Sequence, residues 1–334
     1  MNRFAKIIPL LLSALIAFSC NNKKEASPYN DILQQQPFAS LTDSIQKDPN
    51  NDGLRFRRAV LLNKNNFPEP ALADFRKAWS LKKDERYALA VSTILLNKNT
   101  DSAIFFLQEA LKELPGNILL QLSLAHAYDA QDRTDDAMKI CDAILNRNPE
   151  QVDVLKMKAD LLDKKKDPGA AIEILEKAYS LTPFDVDLNY SLAFKYAENK
   201  NIKVVSLCDS LIAKDSLKRH AEPYYYKGIF YSNIDDNAKA LSMFEQAIQH
   251  NYYFLNAYIE KGRVQYDQKK FADALKTFEL ANTISPKFPD AWYWMGKSQE
   301  AMGRKADAKL NYLKAYGLDQ TFTEAKDAAD RIIK

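Results

Sequence analysis

Three heptapeptides, EPYYYKG at 222–228, NAYIEKG at 256–262 and DAWYWMG at 290–296, stand 34 residues apart and set the frame for the whole chain. Each closes on a glycine: Gly228, Gly262 and Gly296. Twelve residues beyond each glycine comes an alanine (Ala240, Ala274, Ala308), then an aromatic four further on (Phe244, Phe278, Tyr312) and another alanine three beyond that (Ala247, Ala281, Ala315). Steps of four and three hold side chains on one face of an α-helix. The period therefore contains two helices, each with a small-residue column.

The same register runs backwards through Ala103, Ala137 and Ala171, with Pro115, Pro149 and Pro183 closing their repeats. An earlier unit carries Ala59, Ala71, Phe75 and Ala78, displaced by 32 from the next. This pattern resembles the tetratricopeptide repeat. The resemblance implies an all-α fold: a TPR-type α-solenoid of about eight helix-turn-helix repeats, starting near 52, 84, 118, 152, 186, 221, 255 and 289. Small residues let the helices of a pair approach closely while large ones fill the gaps beside them. One pair cannot bury its apolar face alone, so neighbours must stack and the ends need caps. Residues 38–51 read as an N-terminal capping helix, 52–322 as the array, and 323–334 as a C-terminal capping helix with Thr321 or Thr323 as N-cap. In the unit from 186 the register is kept by aligning Cys208-Asp209 with Cys141-Asp142, which makes the connection at 215–220 long.

Composition agrees with helices. Only 8 glycines and 13 prolines occur in 334 residues, too few for a turn-rich sheet protein. Lys plus Arg number 47 against 44 for Asp plus Glu, and a near-neutral chain with interspersed signs offers no field for a phosphate backbone. Nucleic acid is not expected as a partner.

Arg3 and Lys6 precede an apolar run from Ile7 to Phe18, which ends at Ser19-Cys20. This is a signal-peptide pattern, too short to span a bilayer comfortably. The cysteine after Ser19 resembles the lipobox of bacterial lipoproteins, so residues 1–19 are expected to be removed and Cys20 acylated. Acyl chains supply about 0.8 kcal/mol per buried methylene, and more than one makes a stable anchor. Residues 20–37 then read as a tether. In the lipoprotein resemblance, Asn21 in place of Asp favours the outer membrane, with the chain facing the periplasm.

Candidate chemistry is sparse. His126, His220 and His250 have no metal-ligand spacing, and no nucleophile elbow, phosphate loop or dinucleotide turn is present. No enzyme activity, metal or cofactor is expected. Cys141 and Cys208 occupy equivalent apolar columns two units apart, beyond disulfide reach, and read as buried packing residues.

The family resemblance implies that the first helix of each unit lines a concave groove. Its columns offer Tyr190, Phe194, Tyr225, Ile229, Arg263, Tyr266, Tyr293 and Lys297 as partner-binding residues, whereas Asp153, Lys156, Asp160 and Asp163 make the middle unit charged. Tyr224, turned by about 100 degrees from Tyr225, is expected in the core. Tyrosine brings large contact area with few rotors, and the neighbouring cations favour acidic groups or a free carboxylate. Lys156 is followed one turn on by Asp160 and not by Asn, so the carboxylate-holding pair of some family members is not reproduced. The resemblance implies a lipid-anchored adaptor for envelope proteins or peptides. A second reading is an aromatic groove for peptidoglycan or another glycan.

Overall fold

A computed structural model describes residues 28–217 and 219–332, and every regular element among them is an α-helix. The signal segment and Cys20 lie outside the described residues. The chain divides between Ser123 and Leu124 into two compact units.

The N-terminal unit holds α1 (Asn30–Leu33), α2 (Ala39–Lys47), α3 (Asp52–Lys64), α4 (Pro68–Leu81), α5 (Glu85–Lys98) and α6 (Thr100–Glu113), with α2 to α6 packed in sequence; α7 (Ile118–Asp129) spans the division. Residues 28–37 differ from the expected tether. Leu33 is buried and its carbonyl accepts from Thr42 Oγ1 at 2.7 Å, while Tyr29 and Ile32 pack on the same core. The physical reason is that an unbacked first hairpin would expose its apolar face, and this short segment covers it. Beneath it lies a charged pair. Arg58 donates to both carboxylate oxygens of Asp74, at 2.6 and 2.8 Å, and to Thr42 Oγ1 at 3.0 Å, with both charged residues buried.

The C-terminal unit continues with α8 (Thr134–Arg147), α9 (Val152–Lys164), α10 (Pro168–Leu181), α11 (Val186–Glu198), α12 (Lys203–Lys214), α13 (Glu222–Asn233), α14 (Asn237–His250), α15 (Leu255–Asp267), α16 (Phe271–Ile284), α17 (Pro289–Ala301), α18 (Lys305–Leu318) and α19 (Thr323–Arg331). From α8 on, successive helices pack in antiparallel pairs, and α11, α13, α15 and α17 also touch in series. The last helix starts after Phe322 with no side-chain cap, so neither threonine caps it; Thr321 instead bonds to Asp319.

The repeat motif has a mechanical reading. A Cβ added to Gly228 would lie 2.5 Å from Phe244 Cε1, one on Gly296 would lie 2.7 Å from Tyr312 Cε1, and one on Gly262 would strike the Phe278 ring. Each glycine is thus the seat of the aromatic ring sixteen residues later. Other units use another pairing in the same columns, such as Ala159 with Leu175 and Ala193 with Cys208, all buried in one core. The lysine before the glycine looks the other way: Lys227 reaches Asp209 at 2.6 Å and Lys261 reaches Glu245, each tying its unit to the preceding one. Lys158 repeats the contact with Asp142 at 2.6 Å.

Turns repeat as faithfully as cores. Asp235, Lys269 and Gly303 adopt φ of 64°, 60° and 80°, and the following N–H groups of Asp236, Lys270 and Arg304 return to Tyr231, Gln265 and Gln299 carbonyls at 2.8–2.9 Å. This six-to-one bond closes the first helix and reverses the chain. Between repeats, a side chain six residues after a proline bonds to that proline's carbonyl: Arg55 to Pro49, Gln121 to Pro115, Asn189 to Pro183 and Trp292 to Pro286.

Cys141 and Cys208 are free and fully buried, and burial pushes both thiols up to about 12. Because the thiolate is the reactive form, neither should take up iodoacetamide at about pH 8 in the folded chain. Both should label fully in denaturant, which mass spectrometry reads directly.

Candidate partner-binding groove

The eight groove residues expected from sequence fall into three situations. Ile229 is 8% exposed and belongs to the core around α11, α13 and α14, so it offers no docking surface. The close approach of α13 to α11 covers it. Tyr225 and Tyr293 are half-buried rings that bridge to the following unit. Tyr225 meets Phe254 edge-on at 5.0 Å and also packs near Phe244, and Tyr293 lies 4.9 Å from Phe322 and 5.6 Å from Tyr312. Burial raises the hydroxyl pKa of both.

The remaining five retain exposed or partly exposed surface. Phe194 is exposed beside Tyr226, with ring centroids 6.2 Å apart, and Tyr190 meets Tyr226 at 6.0 Å. Arg263, Tyr266 and Lys297 gather around Trp294. The Arg263 guanidinium stands 5.5 Å from the indole, Tyr266 packs edge-on at 5.7 Å, and the Lys297 ammonium lies 5.8 and 5.9 Å from the two rings. Arg263 also bonds to Glu260 at 2.8 Å; burial raises that carboxyl, against the opposing pull of the guanidinium. Lys297 has no carboxylate partner among the described residues.

Sequence reasoning missed Tyr226 and Trp294, the rings that tie these groups together. Both stand one residue after the column taken for the groove, in the second aromatic of YY at 225–226 and YW at 293–294. The doubled aromatic was the available signal. A helix in a tightly stacked array buries the flanks of its inner face as well as the centre, and adjacent rings then divide between neighbours. Tyr224 is only partly buried; it stacks on His250 at 4.5 Å and 14°.

The charged middle unit is engaged internally. Lys156 pairs with Asp185 at 3.6 Å, Lys195 with Asp163, and Lys164 with Asp129 at 2.6 Å. These contacts run between first helices of neighbouring repeats, from α9 back to α7 and on to α11, and Asp160 on α9 is exposed, its carboxyl raised by partial desolvation. Asp153 is exposed. Among the described residues no cluster of His, Cys, Asp or Glu is placed to hold a metal, and no helix is long and apolar enough to cross a membrane.

Comparison with known proteins agrees with this geometry. Tetratricopeptide-repeat family models match residues 95–161, 153–185, 232–289 and 289–322. A curated relative, the uncharacterized protein y4yS of Sinorhizobium fredii, is 31% identical over 91 residues, which are 27% of this chain and 50% of that protein. The match therefore spans half the length of that relative. Among solved structures, a tetratricopeptide repeat protein from Parabacteroides merdae aligns with a TM-score of 0.61 at 16% identity, covering 75% of this chain and 98% of that one. The APC/C hetero-tetramer Cut9-Hcn1 aligns at 0.50 with 12% identity, over 90% of this chain and 60% of the other. The matched repeats, the buried small-residue columns and the recurrent helix pairs lead to one conclusion: the chain carries tetratricopeptide repeats and folds as an all-α tetratricopeptide-type solenoid.

Proposed function

We propose that this protein is a non-enzymatic adaptor, held on a bacterial outer membrane by acylated Cys20, that captures an acidic segment of an envelope protein between α15 and α17. The observation that carries this reading is the Lys297 ammonium. It lies over Tyr266 and Trp294 without a carboxylate partner among the described residues, next to exposed Arg263. A cation held on aromatic faces keeps its charge while shedding part of its water, which suits a carboxylate arriving from a partner. Extended peptides fit such a strip because the rings add area at small entropic cost.

Replacing Lys297 and Arg263 together by Glu should weaken binding of an acidic test peptide by about a hundredfold, from two lost charge-assisted contacts and two new repulsions. Fluorescence anisotropy with a labelled oligoglutamate-containing peptide measures this, and an unchanged affinity would remove the groove assignment. The full lipoprotein should also incorporate labelled palmitate, and Cys20→Ser should abolish incorporation. Retention on polysaccharide together with indifference to acidic peptides would turn the reading to glycans.

A further inference from the structure

The long connection between α12 and α13 builds a second recess, remote in character from the cationic strip and sharing only Tyr190 with the expected groove. It is an open cavity of about 240 Å³ lined by Phe184, Tyr190, Leu211, Leu217 and His220, with Asn189 in its wall. Its rim is unusually apolar for a surface: Phe184 is 81% exposed and Leu217 66%. Exposed apolar clusters of this kind mark interaction sites when they surround a recess with a polar anchor.

Asn189 supplies that anchor. It is 3% exposed, and its Nδ2 donates to the Pro183 carbonyl at 3.1 Å, whereas its Oδ1 is buried with no hydrogen-bond partner among the described residues. The repeat explains how the atom came to be stranded. Arg55 and Trp292, in the same column, satisfy their proline carbonyls with donor-only side chains. An asparagine satisfies the carbonyl equally well but leaves an acceptor over. A buried acceptor without a donor costs free energy that a ligand's N–H group recovers.

We infer that this recess binds the indole side chain of a tryptophan in a partner polypeptide, with the indole N–H donated to Asn189 Oδ1. The flat apolar ring matches walls made by Tyr190 and His220, whose rings stand 6.3 Å apart in an edge-on arrangement, and by Phe184. The Lys214 ammonium sits 5.3 Å from the Phe184 ring centroid, at the rim, and repels a lysine or arginine side chain. Two carboxylates stand nearby: Asp215 accepts from the backbone N–H of His220 at 2.8 Å, and Glu222 lies 3.9 Å from His220 Nδ1. A tyrosine would present its hydroxyl only at the tip of a smaller ring.

The test titrates N-acetyltryptophanamide into the full chain and follows ¹H–¹⁵N resonances of Tyr190, Leu217 and His220. Saturable shifts are expected there, with the 1-methyl indole derivative binding about tenfold more weakly because it has no N–H. Asn189→Leu should bind both compounds equally, and Phe184→Ala, altering an exposed ring, should weaken tryptophan binding several-fold with an unchanged melting curve. If Asn189→Leu fails to fold, the methylated compound on the unaltered chain still decides. Absence of saturable shifts, equal affinity for the two indoles, or preference for N-acetyltyrosinamide would each overturn the inference. The Lys297 and Arg263 reversals should leave these shifts unchanged, so the two sites fail separately.

Discussion

Asp74→Ala is expected to destabilise the N-terminal unit by about 3–5 kcal/mol, because it leaves the Arg58 guanidinium buried and without its counter-charge. The guanidinium is held by two short bonds to one carboxylate and a third to Thr42, and Thr42 in turn bonds to the Leu33 carbonyl. Loss of Asp74 therefore loosens the segment that backs the first hairpin as well as the hairpin itself. Hydrogen exchange should rise across α2, α3 and α4, while amides of α13 to α18 keep their protection. The paired change of Arg58→Met with Asp74→Leu removes both charges and replaces them with apolar volume, and is expected to recover most of the loss. A single-site variant with wild-type protection in α2 and α3 would show that the pair contributes little.

Gly262→Val is expected to cost about 3 kcal/mol through overpacking, because its side chain enters the space of the Phe278 ring. Both residues sit in rigid helices, and Phe278 is wholly buried, so the ring has nowhere to move. Gly262→Ala alone should cost less, since alanine regains about 1 kcal/mol of helix propensity over glycine. The chain itself contains the compensating solution in the Ala159 and Leu175 pairing. Gly262→Ala combined with Phe278→Leu should therefore be more stable than the sum of the single changes by at least about 1 kcal/mol. Urea denaturation of the four members of this cycle measures the coupling, and strict additivity would refute the seat-and-ring account of the repeat.

Much of the fold is legible in the sequence because its periodicity reports local helix geometry and direct neighbours. The alanine columns at Ala240, Ala274 and Ala308, and at Ala247, Ala281 and Ala315, are fully buried in the structure. Cys208 is buried and Asp209 exposed, as the shifted alignment of their unit requires. The candidate groove was less legible. Ile229 and Tyr225 lie in the right columns but are covered by the neighbouring helices, and Tyr226 and Trp294 took the linking role from one residue away.

From the order of residues alone follow the helical class, the 34-residue period, the small-against-large matching of paired helices and the buried state of the cysteines, since each depends on contacts at fixed separations along the chain. Which aromatic rings stay exposed, how Lys297 comes to rest between Tyr266 and Trp294, and why Asn189 is left with a stranded acceptor were decided by tertiary structure. Those outcomes depend on the distance and rotation between successive helix pairs, and a few degrees of difference there transfers a side chain from surface to core.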